Sequence, residues 1–163
     1  MKRRLLATLK VYESPDNCVS GLQTHFDQSG TIKGNYELYL CPNGHTDGMG
    51  LEQKNRVQIM AHELGHFVAH VLNLPEHAES RKATVRAVKI GLPKDYTLLA
   101  PTEQEAWNVG EMIEPGAKLS DAYRISMTGY NEHDSQMRKA IEELDPEPRA
   151  FYSTMLLGKD VTR

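Results

Sequence analysis

Between about Gln53 and Leu72 the residues Val57, Met60, Ala61, Leu64, Val68, Val71 and Leu72 recur at spacings of three and four, while Lys54, Arg56 and Gln58 fall largely elsewhere. This is the period of an amphipathic α-helix that buries one stripe. Both of its ends are marked. The segment from Pro42 to Gly50 holds three glycines and a proline in nine residues, a composition that favours turns. At the far end Asn73-Leu74-Pro75 stops the helix, because proline lacks an amide donor and crowds the preceding turn. Any fold for this chain is built around one long helix entered from a loop and left through a sharp break.

Upstream, Leu5, Ala7, Leu9 and Val11 alternate within residues 4 to 13 and predict a half-buried strand, closed by the turn residues Ser14-Pro15-Asp16-Asn17. Residues 18 to 26 and 35 to 41 read as two further strands, and the punctuation at Gln28-Ser29-Gly30 and Gly34 suits a hairpin between them. Downstream, helices are predicted from about Glu76 to Lys89 and from about Thr102 to Ile113, each followed by its breakers, Gly91 and Pro93 or Pro115-Gly116. Residues 120 to 129 are ambiguous, and residues 133 to 144 read as helix before Asp145-Pro146-Glu147-Pro148. The last fifteen residues read either as a short helix or as a tail. The expected class is α+β, with a small, mostly antiparallel sheet packed on the long helix and on further helices.

At 163 residues the chain suits one domain, taken as residues 1–163. Hydrophobic residues at 39% and charged residues at 25% are ordinary for a globular protein, which disfavours disordered, collagenous and membrane classes. A net charge of -3 with dispersed basic residues gives no support for a nucleic-acid partner. No apolar run approaches the ~20 residues that cross a bilayer. The basic start Met1-Lys2-Arg3-Arg4 is followed by an apolar run broken by Lys10 and Glu13, unlike a signal peptide. Two cysteines, Cys18 and Cys41, are read as free thiols in a reducing cytoplasm.

The chemistry sits inside the long helix. His62 and His66 are four residues apart, so they project from one face about a turn from each other and their imidazoles converge on one point. Two neutral imidazoles and a carboxylate suit Zn2+ and leave a fourth position for water. Glu63 faces the same cavity without needing to be a ligand, which is the place for a general base acting on that water. Gly65 costs roughly 1 kcal/mol in a helix interior relative to alanine, so it predicts the close approach of the sheet or of another helix.

His62-Glu63-Leu64-Gly65-His66-Phe67 resembles the active-site helix of the zincin metallopeptidases. The strand-rich start and a later helix bearing a glutamate are similar to the gluzincins, above all to small ImmA/IrrE-like enzymes of bacteria and phages. The matching motifs cover about residues 35 to 112, the first being far more specific than the second. The resemblance implies a third ligand from Glu-x-x-Ala-Asp or Glu-x-x-Ala-Asn; Glu103-Gln104-Glu105-Ala106 matches its first four positions and makes Glu103 the choice. Trp107 departs from the pattern, standing where relatives carry a residue that orients a histidine. Glu105, with Asn108 as an orienting group, and Glu111 remain rivals on helical spacing. The metzincin pattern needs a histidine at position 72, where Leu72 stands.

Four further readings follow. His70 lies too far along the helix to share an ion with His62 and His66, and belongs behind the ligands or at the surface. Tyr123, Tyr130 and His133 are the candidates for a donor to the negative charge of a tetrahedral intermediate. Residues Tyr36 to Leu40 resemble the zincin edge strand that pairs with an extended substrate. Cys41 and His45 have a metal-like spacing, but two ligands do not close a zinc site.

Three functions are weighed: a zinc-dependent peptidase acting on a peptide or protein, a zincin-like domain that holds zinc without proteolysis, and a hydrolase of some other amide. The implied location is cytoplasmic, in the host if the chain is phage-encoded.

Overall fold

Among the described residues, 7–13, 20–26, 32–40, 55–91 and 97–157 of a computed structural model, three strands precede five α-helices. The strands are β1 (Thr8–Glu13), β2 (Gly21–Phe26) and β3 (Ile32–Leu40). The helices are α1 (Arg56–Leu72), α2 (Pro75–Lys89), α3 (Ala100–Ile113), α4 (Asp121–Glu142) and α5 (Pro146–Leu157), with a 3-10 turn at Ala117–Leu119 before α4. The architecture is α+β.

The sheet is mixed, which corrects the expectation of a mostly antiparallel one. Its order is β1-β3-β2, with β2 antiparallel and β1 parallel to the central β3. The β2–β3 hairpin was predictable because its partners are adjacent in sequence. Alternation along β1 says which face is buried but not which neighbour it meets, so the parallel pairing carried no signal. Only Leu9 of β1 is even half-buried, and Val11, expected inside, is 56% exposed, as befits an outer strand. Gly34 is not in the turn. With φ of 75° it lies within β3, where a two-residue step along β2 from Thr24 to Phe26 is matched by a four-residue step along β3 between Tyr36 and Ile32, an irregularity that glycine accommodates.

Tyr36 and Leu38 share one face of β3 and are nearly inaccessible. The Tyr36 ring meets Phe67 of α1 edge-on at 4.9 Å, which docks the sheet on the motif helix. Complete burial of a side chain such as Leu38 contributes about 1.5–3 kcal/mol.

Helix α1 starts three residues later than its pattern suggested and ends as expected. Asn73 adopts the left-handed conformation, with φ 55° and ψ 49°. The amide of Leu74 donates to Ala69 O at 2.9 Å and that of Asn73 to His70 O at 3.2 Å, a Schellman closure with asparagine in the place glycine usually takes. Pro75 then opens α2, where its missing donor costs nothing.

Helix α4 is continuous through the stretch read as ambiguous. Ser120 caps it by accepting from Tyr123 N at 3.1 Å, and its apolar side meets two clusters. One comprises Ala100, Trp107, Ala117, Ala122 and Met127, with Ile59, Tyr123 and Tyr130 against it. The other joins Ala87, Ile141 and Tyr152 of α2, α4 and α5, so the last segment is helical at least to Leu157. Among the described residues no helix is long and apolar enough to cross a membrane. Met1 to Arg4, Cys18, Cys41, His45 and the glycine-rich loop lie outside the described residues.

Candidate metal centre

Helices α1 and α3 touch backbone to backbone. A methyl group built on Gly65 would lie 2.1 Å from Ala106 O, and one on Gly110 would lie 3.1 Å from Ala61 O. The glycine that looked unfavourable within α1 is what lets α3 approach. The contact brings position 103 opposite positions 62 and 66, and the tightest burial on α1 falls on Ala61, His62, Glu63, Gly65 and Ala69 rather than on the large apolar residues.

Glu103 Oε2 lies 3.1 Å from His62 Nε2 and 3.3 Å from His66 Nε2. One donor atom from each of these three residues falls within 4.8 Å of the others. A tetrahedral zinc with bonds of about 2.0–2.1 Å needs ligand atoms about 3.3–3.4 Å apart, so the separations to Glu103 fit such an ion. Glu63 is also buried, with its Oε1 3.9 Å from His62 Nε2.

Charge follows the geometry. Burial acts to raise the Glu103 carboxyl, but hydrogen bonds with His62 and His66 outweigh it and bring the pKa down to about 2. Burial lowers His62. Burial pulls His66 the same way, yet its bond with Glu103 and the surrounding carboxylates carry it upward overall. The site thus sets an ionised carboxylate against two imidazoles, and a metal ion bound there would take the place of any proton on their Nε2 atoms.

The three glutamates of α3 have separate tasks. Glu105 accepts from Glu76 N at 3.1 Å and His77 N at 3.0 Å, and contacts His77 Nδ1 at 2.7 Å, so it caps α2. Glu111 accepts from Gly116 N and Lys118 N at 2.9 and 2.7 Å and closes the turn after α3. Only Glu103 meets both histidines. Asn108 accepts from Gln104 and Lys118 instead of orienting a ligand.

Trp107 has a different role from the residue whose place it takes. Its ring stacks on His62 at 4.2 Å with the planes 18° apart, and is itself 1% exposed. Among the described residues His62 Nδ1 is buried without a hydrogen-bond partner, so the indole face holds this imidazole. His66 Nδ1 instead meets His77 Nε2 at 2.9 Å, a residue the motif reading did not include. The available signal was the run of four histidines between positions 62 and 77. His70 stands behind the ligands, 4.7 Å from the His77 ring, with its pKa lowered to about 3 first by burial and then by nearby positive charge.

The three donor candidates separate as well. Tyr123 is engaged with Gln104 Oε1 at 3.0 Å, and His133 sits beside Asp134, which caps α3 through Leu99 N and Ala100 N. Tyr130 packs against the core cluster that contains Trp107, and its hydroxyl is held above the usual range first by burial and then by the charges of Glu103 and Glu63. It is the candidate in the field of the triad.

The strand expected to bind substrate, Tyr36 to Leu40, is the central one, with neighbours on both sides. It has no free edge, so that expectation is corrected. Neither protein-family models, nor curated proteins, nor solved structures compared with this chain gave a match.

Proposed function

We propose that this chain is a zinc-dependent peptidase of the gluzincin kind, with His62, His66 and Glu103 as ligands and Glu63 as general base. The observation that carries the reading is the convergence of those three donors across the α1–α3 contact, with Glu63 buried beside them. Zinc bound there would lower the pKa of a water molecule toward ~7 and polarise a carbonyl. Glu63 takes the proton of the attacking water and returns it to the leaving amine. The Tyr130 hydroxyl donates to the carbonyl oxygen as that oxygen gains charge. Of the outer strands among the described residues, β2 belongs with β3 to the pair lying against α1, so its outer edge is the one for an extended peptide.

The direct test is metal content with a digest of a broad peptide library. One zinc per chain and cleavage that stops on chelation are expected. A purified protein that takes up no zinc contradicts the reading. Full zinc without cleavage, together with a large loss of stability on chelation, assigns the site to a binding or structural domain instead.

Tyr130→Phe is expected to retain zinc and lose roughly 10²–10³ in kcat, the usual effect of removing one donor to a developing oxyanion. Tyr123→Phe, which removes a hydroxyl already bonded to Gln104, is the control. Equal rates for wild type and Tyr130→Phe would remove Tyr130 from the mechanism.

A further inference from the structure

Glu105, His77 and His66 form a continuous chain of contacts, and its protons can be counted. The Glu105 carboxylate already accepts two backbone amides of α2, which can only donate. It therefore accepts from His77 as well, and the 2.7 Å contact places a proton on His77 Nδ1. In its neutral form a His77 ring protonated on Nδ1 carries its lone pair on Nε2. That atom is 2.9 Å from His66 Nδ1. Two bare nitrogens do not face each other at this distance, so His66 Nδ1 holds the proton and donates. His66 Nε2 is then the atom left to face Glu103 and His62.

We propose that Glu105 and His77 are a two-residue positioning relay, which sets the tautomer and the ring orientation of His66 so that Nε2 is offered to the metal. The metal part of this statement rests on the zinc reading above; the tautomer part does not. The relay also explains an asymmetry in the site. His62 is held by its face against Trp107, whereas His66 is held by its edge through a hydrogen bond. Because Glu105 caps α2 with the same carboxylate, the orientation of His66 is tied to the start of that helix.

The test uses the full chain with two substitutions at one position. His77→Leu removes the acceptor. His77→Gln can present a carbonyl to His66 and an amide to Glu105, and so restores both bonds. The first readout is nitrogen NMR of the His66 ring in metal-free protein at alkaline pH, where the ring is neutral. The second is zinc affinity, by competition with a chromophoric chelator.

Wild type is expected to show the Nδ1–H tautomer. His77→Leu should lose that preference and bind zinc roughly 10–100-fold more weakly, and His77→Gln should recover most of both. A wild-type His66 protonated on Nε2 overturns the relay, as does His77→Leu with unchanged tautomer and affinity. If His77→Leu does not fold, the wild-type tautomer and its retention in His77→Gln decide. If wild type binds no zinc, the peptidase reading fails while the tautomer still decides the relay.

Discussion

Glu63→Gln is expected to keep its full zinc content and to lose hydrolysis by roughly 10²–10⁴ in kcat, the range for removal of a general base. The two effects separate because Glu63 stands outside the donor triad, 3.9 Å from His62 Nε2 where Glu103 comes to 3.1 Å. Glutamine keeps the shape of the side chain in its buried position, so neither helix needs to move. An amide, however, cannot take up a proton at the working pH. Metal analysis alongside a peptide-cleavage rate measures both quantities on one preparation. Activity within tenfold of wild type would rule out Glu63 as the base, and loss of zinc would make it a ligand.

Gly65→Ala carries the largest expected structural effect. The new methyl group would meet Ala106 O at 2.1 Å, Ala106 C at 2.9 Å and Ala106 Cα at 3.2 Å, all backbone atoms with no rotamer to escape into. Alanine improves helix propensity by about 1 kcal/mol, but overpacking a tight contact costs about 1–3 kcal/mol or more, and here a whole helix must move. A net loss of about 3 kcal/mol is expected, against the ~5–15 kcal/mol that holds an average domain. Zinc affinity should fall with it, since His62 and His66 stand on one side of the contact and Glu103 on the other. Gly129→Ala is the matched control. It is an exposed position inside α4 with nothing within 4 Å of an added methyl, so the same change should stabilise by about 0.5–1 kcal/mol. Chemical denaturation of the two variants beside wild type measures both signs. A neutral Gly65→Ala would contradict the close contact.

Much of this arrangement was legible in the residues. Pro75, Gly91 and Pro115-Gly116 punctuated the helices because their backbone chemistry is local. The His62 to His66 spacing and Glu103 likewise depend only on helical periodicity and a motif. What escaped depended on tertiary neighbours. Hydrophobic periodicity included Ala61 but also pointed to large residues such as Val57 and Leu72, yet these are 49% and 63% exposed while Gly65 and Ala69, outside the pattern, are buried. A stripe of small residues marks close approach of backbones, which a count of apolar side chains does not weigh. Trp107 was read as a departure from a polar pattern because the pattern records hydrogen bonds and not ring stacking. His77 was missed because it lies beyond the proline break, where helical spacing no longer applies.

The connection between α1 and α2 turns on two residues, Asn73 and Leu74, and His66 and His77 meet although eleven positions separate them. Connector length therefore acts as a phase setting for α2. One residue added there would break the Asn73–Leu74 closure, shift the start of α2 against α1 and carry His77 away from His66. The motif helix itself would be untouched by such an insertion. A chain with an intact His62 to His66 segment and a longer connector would thus retain the metal ligands while losing the means of aligning one of them.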